Sequence, residues 1–237
     1  MKKIIFLFLF TTFSFNQDYS LSFDGNGDRV EITNNPTQGL TEFSFLGWFK
    51  ANPGQVGPSN IIQLDNEYYI RYTNSGENFQ IDLTPEGSDG AYFSTFENSI
   101  NTPSFDEWHF VALTWDGNNT YVYIDDDQYF IGNTNGGTIS TPGDSTIYIG
   151  NWSTNEGFNG SIDNIQLWHR FLSTEEITYF KQNPSDLFDH QAGLIAYYDF
   201  NSGAGDILYD VTINSNNGTI YGATWVENIY GCMDELA

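Results

Sequence analysis

Short stretches in which apolar and polar residues alternate recur along the whole chain, and this recurrence limits the possible folds most. Tyr19–Phe23 and Asp28–Ile32 alternate with a period of two, and Asp24–Gly27 between them has the residues of a tight turn. Because successive side chains of a strand point to opposite faces, each such stretch predicts a strand. Further strands are predicted at 43–49, 61–64, 68–72, 79–83, 91–96, 108–115, 121–124, 128–131, 146–150, 158–168, 194–200, 207–209 and 218–226.

The spacing of these strands indicates the fold class. Strands that recur about every 8–12 residues, with turn residues between them, are typical of sandwiches and barrels. A helical pattern of useful length appears only at Ser173–Phe180, where Ser173-Thr-Glu-Glu176 has the form of a capping box. The sequence therefore predicts an all-β protein, a two-sheet antiparallel β-sandwich with one short helix at about 173–180.

The charge of the chain excludes two classes of partner. The chain has 31 Asp and Glu residues against 7 Lys and Arg, which gives a net charge of −24. Nucleic acids and anionic membrane surfaces repel such a protein, so neither is expected as a partner. An excess of acids suits divalent cations, and solubility in a salty medium explains it at least as well.

The N-terminus has the order of a secretory signal. Met1–Phe10 contains two lysines followed by a short apolar run, and small and polar residues follow to Gln17. The run is much shorter than the roughly twenty residues of a membrane-spanning helix. We expect residues 1–17 to be a signal peptide, and the mature protein to be secreted or at the cell surface without membrane insertion.

One acidic residue stands in the apolar late stretch Phe158–Trp168. Ile165 and Leu167 share a face of this predicted strand, and strict alternation puts Asp163 on the same face. A carboxylate that points toward a core costs several kcal/mol unless it is paired, hydrogen-bonded or bound to a metal. Asp163 is therefore either a metal ligand or a strand-end residue that accepts hydrogen bonds from nearby backbone N–H groups.

Four blocks of sequence, taken in order, resemble a known family. They are Leu21-Ser-Phe-Asp-Gly25 with Asp28-Arg-Val30, Trp108-His-Phe-Val-Ala-Leu-Thr-Trp-Asp-Gly117, Val122-Tyr-Ile-Asp125, and Phe158-Asn-Gly-Ser-Ile-Asp163 running to Glu176-Ile177. The chain resembles the laminin-G-like, concanavalin A-like jelly-roll domains of exported proteins of marine bacteria of the Bacteroidetes type. The resemblance implies a jelly-roll sandwich over residues 18–185.

The remainder of the chain has two interpretations. Residues 190–228 are similar to a piece that usually precedes the first block in this family, so they either complete the same sandwich or begin a further repeat. Gly231-Cys-Met-Asp234 is similar to a Gly-Cys-Thr-Asp repeat of such exported chains. Residues 229–237 are thus expected to be the truncated start of a next module of a longer chain, and Cys232 either a free thiol or half of a disulfide whose partner lies beyond.

The resemblance also implies a structural calcium ion. In this fold a late-strand Asp commonly meets the loop after the first strand, and the matching residues are Asp163 and Asp24, with a backbone carbonyl near Asn26 as a third ligand. Calcium takes six to eight oxygen ligands, and a Gly-Asn-Gly turn exposes its carbonyls. Alternatively, Asp24 caps its own turn, and Asp28 competes for the role.

Catalytic patterns are absent from the sequence. Glycoside hydrolases and polysaccharide lyases share this fold, but no Glu here has an Asp two residues later, as the Glu-x-Asp-x-x-Glu pattern of laminarinase-like enzymes requires. His109 is expected to be packed in its strand, and His169 and His190 have no triad partners nearby in the sequence. The triplet Asp125–Asp127 is expected to be a solvated hairpin turn. We predict a non-enzymatic protein, with a glycoside hydrolase or lyase as the alternative.

Aromatic residues are the remaining candidates for ligand binding. Aromatic rings stack on sugar rings, and loops on a rigid sandwich often carry binding residues. Trp152 lies in a polar loop, and Tyr69 and Tyr92 are placed to line the concave sheet. The sequence predicts a binding or adhesion module for glycans or other extracellular polymers, and a passive spacer in a large surface protein is a second alternative.

Overall fold

The computed structural model describes residues 18–64, 67–140, 145–151, 157–186 and 191–228. The predicted signal peptide, Trp152, His190 and the predicted module start with Cys232 lie outside these residues. The strands are β1 Tyr19–Asp24, β2 Arg29–Ile32, β3 Phe43–Ala51, β4 Ser59–Leu64, β5 Tyr68–Thr73, β6 Asn78–Leu83, β7 Ala91–Ser94, β8 His109–Trp115, β9 Asn119–Ile124, β10 Asp127–Asn133, β11 Ile147–Ile149, β12 Asn159–Trp168, β13 Leu194–Tyr198, β14 Ile207–Leu208, β15 Gly218–Tyr221 and β16 Thr224–Glu227.

These strands form two antiparallel sheets. The first sheet has the order β10-β9-β8-β3-β12-β1-β16, and β13 pairs with β12 beyond the end of β1. The second sheet has the order β14-β15-β2-β11-β4-β5-β6-β7. The predicted two-sheet antiparallel sandwich is confirmed. Its tail strands β13 to β16 lie in these same two sheets, at β12, β1 and β2.

Alternation along the strands fills the space between the sheets. On β5, Tyr68, Ile70 and Tyr72 are buried in the main core, whereas Tyr69 and Arg71 between them are only partly buried. Each fully buried large apolar side chain contributes roughly 1.5–3 kcal/mol. The inner faces of both sheets supply this core, so the period of two in the sequence becomes the division between core and outer faces.

A second apolar cluster covers the outer face of the first sheet. Helix α1, Thr174–Gln182, places Ile177 and Phe180 over this face, against Trp168 and Phe110 among others. The predicted capping box is present, because the Ser173 hydroxyl accepts from the Glu176 N–H and the Glu176 carboxylate accepts from the Ser173 N–H. This helix explains why β3 is apolar on both faces. No helix among the described residues is long and apolar enough to cross a membrane.

A bulge in β12 changes the predicted orientation of Asp163. The pairing of β12 with β3 shifts register between Asp163 and Gln166, and Asn164 has a φ of 51°. Ile162 and Ile165 therefore both point into the core, and Asp163 faces outward beside its cross-strand partner Trp48. The expectation that Asp163 shares a face with Ile165 is wrong, because the extra residue at the bulge interrupts strict alternation.

Candidate functional site

The outer face of the second sheet carries a row of aromatic and polar side chains. Ile62, Ile70 and Ile81 point into the core, so the residues that follow or precede them on the strands, Gln63, Tyr69 and Asp82, point outward. Cross-strand pairing aligns these neighbours directly opposite one another. The resulting tyrosine row runs across the sheet in the order Thr219, Glu31, Tyr148, Gln63, Tyr69, Asp82 and Tyr92.

Two of the predicted ligand-binding residues are brought together in this row. Tyr69 and Tyr92 both lie opposite Asp82, one on each side, and Tyr148 lies on the other side of Gln63 from Tyr69. Neighbouring strands are about 4.8 Å apart, so Tyr69 is separated from Tyr148 and from Tyr92 by roughly 10 Å each. Tyr148 was not among the predicted ligand-binding residues, although its alternation with Ile147 and Ile149 already indicates that its side chain points outward.

A cation lies beside the central tyrosine. The Arg71 guanidinium is 3.8 Å from the centroid of the Tyr69 ring, and its Nε donates to Gln80 Oε1 at 3.2 Å. Burial, and then the charge of Asp82, raises the pKa of Tyr69 to about 12. Burial also raises the pKa of Asp82. At neutral pH, Tyr69 therefore keeps its proton and can donate a hydrogen bond.

Gln63 adds an unpaired acceptor to the row. Its side chain is 7% exposed, and its Oε1 has no hydrogen-bond donor within the described part of the chain. A buried acceptor without a partner costs about 1–3 kcal/mol.

The predicted calcium ligands do not meet. Asp24 pairs with Asn159, four strand positions from Asp163, which corresponds to about 13 Å along β12. Asp24 Oδ1 accepts the Asn26 N–H at 2.7 Å, so the alternative in which Asp24 caps its own turn is the observed one. The N–H of Asp24 in turn donates to Asp28 Oδ2 at 2.9 Å. Asp24 and Asn26 thus occupy one exposed turn, and Asp163 lies elsewhere.

Asp163 lies instead among other polar residues. Asn228 Nδ2 donates to Asp163 Oδ2 and to Asp18 Oδ2, both at 3.2 Å. Asp163 Oδ1 is enclosed and has no donor among the residues described. Burial, with the charges of Asp18 and Asp199, raises the pKa of Asp163 to about 8. No three Asp, Glu, His or Cys side chains in the described ranges are grouped closely enough to hold a metal ion.

A hydrogen-bonded relay that the sequence did not reveal lines a cleft of about 560 Å³. His109 contacts Asp125 Oδ2 through Nδ1 at 2.7 Å and Ser104 Oγ through Nε2 at 3.0 Å. The Ser104 hydroxyl is also 2.6 Å from Glu107 Oε2. Hydrogen bonding to Asp125 raises the pKa of His109. The pairing of β8 with β9 creates this contact, and sequence spacing alone gives no sign of it.

The acidic triplet forms the expected hairpin turn with Asp126 and Asp127 exposed, but Asp125 is only partly exposed and is hydrogen-bonded to its neighbours. Asp125, with a φ of 54°, also accepts the Phe110 N–H at 2.9 Å, and this accounts for both of its carboxylate oxygens. Asp126 forms an ion pair with Lys181 at 2.7 Å. The turn is held to the adjacent strand and to helix α1, because the hairpin brings His109 and Lys181 within reach.

Solved structures with the same fold include sugar-binding domains. A candidate carbohydrate-binding protein from Bacteroides ovatus matches with a TM-score of 0.69 and 15% identity, over 89% of this chain and 60% of that longer one. Domain 4 of a Geobacillus stearothermophilus arabinanase, in complex with arabinotriose, matches with a TM-score of 0.50 and 18% identity, over 68% and 75% of the two chains. The CBM40 domain of a Ruminococcus gnavus sialidase, bound to sialyllactose, matches with a TM-score of 0.51 and 12% identity, over 69% and 96%.

Sequence comparison identifies the family. A comparison with curated proteins gives no match. The family model for the concanavalin A-like lectin/glucanase superfamily, of the laminin G type, matches residues 24–178, which is more than half of the chain. The resemblance found in the four sequence blocks is thus confirmed, and the chain belongs to the concanavalin A-like lectin/glucanase superfamily.

Proposed function

We propose that this protein is a non-catalytic glycan-binding module of an exported protein, and that it binds through the tyrosine row. The observation that carries the proposal is the alignment of Tyr148, Tyr69 and Tyr92 on one outer face of the sandwich. Cell-surface adhesion through such a module would follow from export. The predicted signal peptide and the sugar complexes of the related folds support this proposal.

The chemistry of the row suits a sugar chain. The rings of Tyr69 and Tyr92 offer apolar faces, and Asp82 between these rings offers an acceptor for sugar hydroxyls. A ligand that contacts all three tyrosines must cross five strands, β11 to β7, about 19 Å. The row therefore favours an oligosaccharide over a single sugar.

The net charge of the protein distinguishes between charged and uncharged oligosaccharides. The chain carries −24, and on this face Arg29 is paired with Glu31 at 2.7 Å while Arg71 lies near Asp82. The face is close to neutral, whereas the protein as a whole repels polyanions. We therefore propose an uncharged oligosaccharide as the ligand class.

Among the described residues, the acids of the tyrosine row do not form the carboxylate pair that a glycosidase needs. Glu31 and Asp82 are four strand spacings apart, about 19 Å, and glycosidases need roughly 5–9.5 Å. Glu67 and Asp82 both have a pKa raised by burial, but the charges that act on them are those of Glu86 and Arg71. These two carboxyls thus do not act on one another.

The relay at His109 is a poorer candidate for catalysis than its connectivity suggests. A nucleophilic Ser must give its proton to the imidazole. Hydrogen bonding to Asp125 raises the pKa of His109 and so favours the protonated ring, in which both nitrogens donate, one to Asp125 and one to Ser104 Oγ. The Ser104 hydroxyl then donates to Glu107. In this state the imidazole cannot accept the proton of Ser104. The hydrogen bonds of the relay then stabilise the packing of the strand, the turn and the loop against one another.

Glycan-array and affinity-gel measurements with Tyr69→Ala test the proposal. We expect at least tenfold weaker retention, because the central stacking surface is lost, and a smaller loss for Tyr92→Ala at the edge of the row. Tyr209→Ala is the matched control, since Tyr209 is 49% exposed but lies outside the row. Retention by Tyr69→Ala equal to that of the wild type contradicts the proposed site, and no retention of any polymer by the wild type supports a passive spacer.

A further inference from the structure

A second concave feature lies on the outer face of the first sheet, opposite to the tyrosine row. Trp48 on β3 and Asp163 on β12 are cross-strand partners, and Trp108 immediately precedes β8. With Asn164 and Pro184 they line a cleft of about 210 Å³, the tryptophan cleft. Its walls are mostly aromatic and apolar, and its acidic group comes from the bulge in β12.

The acidic group of this cleft, the carboxyl of Asp163, is only partly hydrogen-bonded. Asp163 is 4% exposed, and its Oδ1 accepts no hydrogen bond from the described residues. Its Oδ2 accepts from Asn228, and burial and the like charges of Asp18 and Asp199 raise the pKa of Asp163 more than the polar groups of Asn164 lower it. A buried carboxylate in such surroundings is unfavourable unless a positive group compensates it. Above the raised pKa of Asp163, its carboxylate joins those of Asp18 and Asp199, and the potential at this end of the cleft attracts cations.

The aromatic walls favour one kind of cation. Ammonium groups are attracted to the faces of aromatic rings, and Trp binds them best. The Trp48 ring is held by an edge contact with Phe110, with 5.5 Å between centroids. Lys50 Nζ lies 5.4 Å from the centroid of the Trp108 ring, so an ammonium group of the protein itself already makes this type of contact there.

We propose that the tryptophan cleft binds the ammonium group of a small organic cation, held between the rings of Trp48 and Trp108 and the carboxylate of Asp163. Calcium requires six to eight oxygen ligands; the two indole rings supply none, so only Asp163 and polar neighbours such as Asp18 and Asn228 are left to bind it. An uncharged sugar can stack on the rings but leaves the carboxylate uncompensated. This site is independent of the tyrosine row.

Titration with tetramethylammonium chloride tests the proposal on the whole chain, at a pH above the raised pKa of Asp163, where its carboxyl is charged. Tryptophan fluorescence and calorimetry are expected to show saturable binding of tetramethylammonium, and at least tenfold weaker binding of tert-butanol, which has a similar shape but no charge. Asp163→Asn keeps the size of the side chain and removes its charge, and it is expected to weaken binding at least tenfold. Trp48→Ala, which changes a different wall, is expected to do the same, and Tyr69→Ala is expected to bind as the wild type does.

Several outcomes would overturn the proposal. Equal binding of tetramethylammonium and tert-butanol would remove the role of charge. Unchanged binding by a folded Asp163→Asn protein would show that the cation does not bind in the tryptophan cleft. If only Trp48→Ala folds, unchanged binding by that variant would show the same. A response to calcium chloride that EDTA reverses, without any response to tetramethylammonium, would assign the carboxylate to a metal instead.

Discussion

Asp163 is expected to make the stability of this protein depend on pH. Burial, together with Asp18 and Asp199, raises the pKa of its carboxyl from 3.8 to about 8. The unfolded chain releases this proton near the ordinary value, whereas the folded protein holds it until about pH 8. The contribution of this group to the free energy of unfolding is therefore complete below about pH 4 and is lost as the pH rises through about 8.

The size of this effect follows from the number of protons involved. Where the folded protein holds one proton more than the unfolded chain, the free energy of unfolding falls by about 1.4 kcal/mol per pH unit. Over the interval between the two pKa values this reaches about 6 kcal/mol, against a total stability of about 5–15 kcal/mol for a typical domain. One carboxyl can thus remove a large part of the stability at pH 8.

Urea unfolding at several pH values between about 4 and about 8 measures the effect. Asp163→Asn carries no titrating group at this position, so its free energy of unfolding is expected to fall less steeply with pH and to exceed that of the wild type at the upper end. Glu67 and Asp82, whose pKa values burial also raises, titrate in both proteins and cancel in the difference. Parallel curves for the two proteins would refute the reasoning.

Three further changes have defined outcomes. Ser173→Ala removes the cap of helix α1 and should lower the free energy of unfolding by about 1 kcal/mol in the same assay; an unchanged midpoint would contradict the role of the cap. The raised pKa of His109 means that its stabilisation is complete below about pH 6.5 and is lost as the pH rises through the folded value, so His109→Gln should flatten the pH profile above that point, whereas a retained slope would contradict it. If calcium is bound, EDTA should lower the melting temperature, and loss of this effect in Asp24→Asn or in Asp163→Asn would identify the residue that binds the ion. Equal melting temperatures with and without calcium would contradict the calcium prediction.

Much of the fold could be predicted from local patterns. The alternation in Tyr68–Tyr72 fixes which side chains enter the core, because a strand has only two faces. The capping box at Ser173–Glu176 likewise predicts a helix start, since its hydrogen bonds join residues three apart. For the same reason, the outward orientation of Tyr69 and Tyr92 could be predicted before the strand order was known.

The positions of the sites could not be predicted in the same way. Whether Tyr148 stands near Tyr69 depends on β11 pairing with β4, which joins residues far apart in the sequence. The contact between His109 and Asp125 depends in the same way on the β8–β9 hairpin, and the distance between Asp24 and Asp163 depends on the register of β1 against β12. Register is set by the packing of whole faces, which no short segment specifies.

The orientation of Asp163 shows where the two kinds of information divide. By itself the sequence determined that β12 is a strand and that an acid stands in its apolar run. Only the tertiary structure decided that the chain bulges at Asn164, which turns the carboxylate away from the core and toward Trp48. The reason is physical: alternation is a local consequence of backbone geometry, whereas a bulge is tolerated only where neighbouring strands and the cores on both faces accommodate the extra residue.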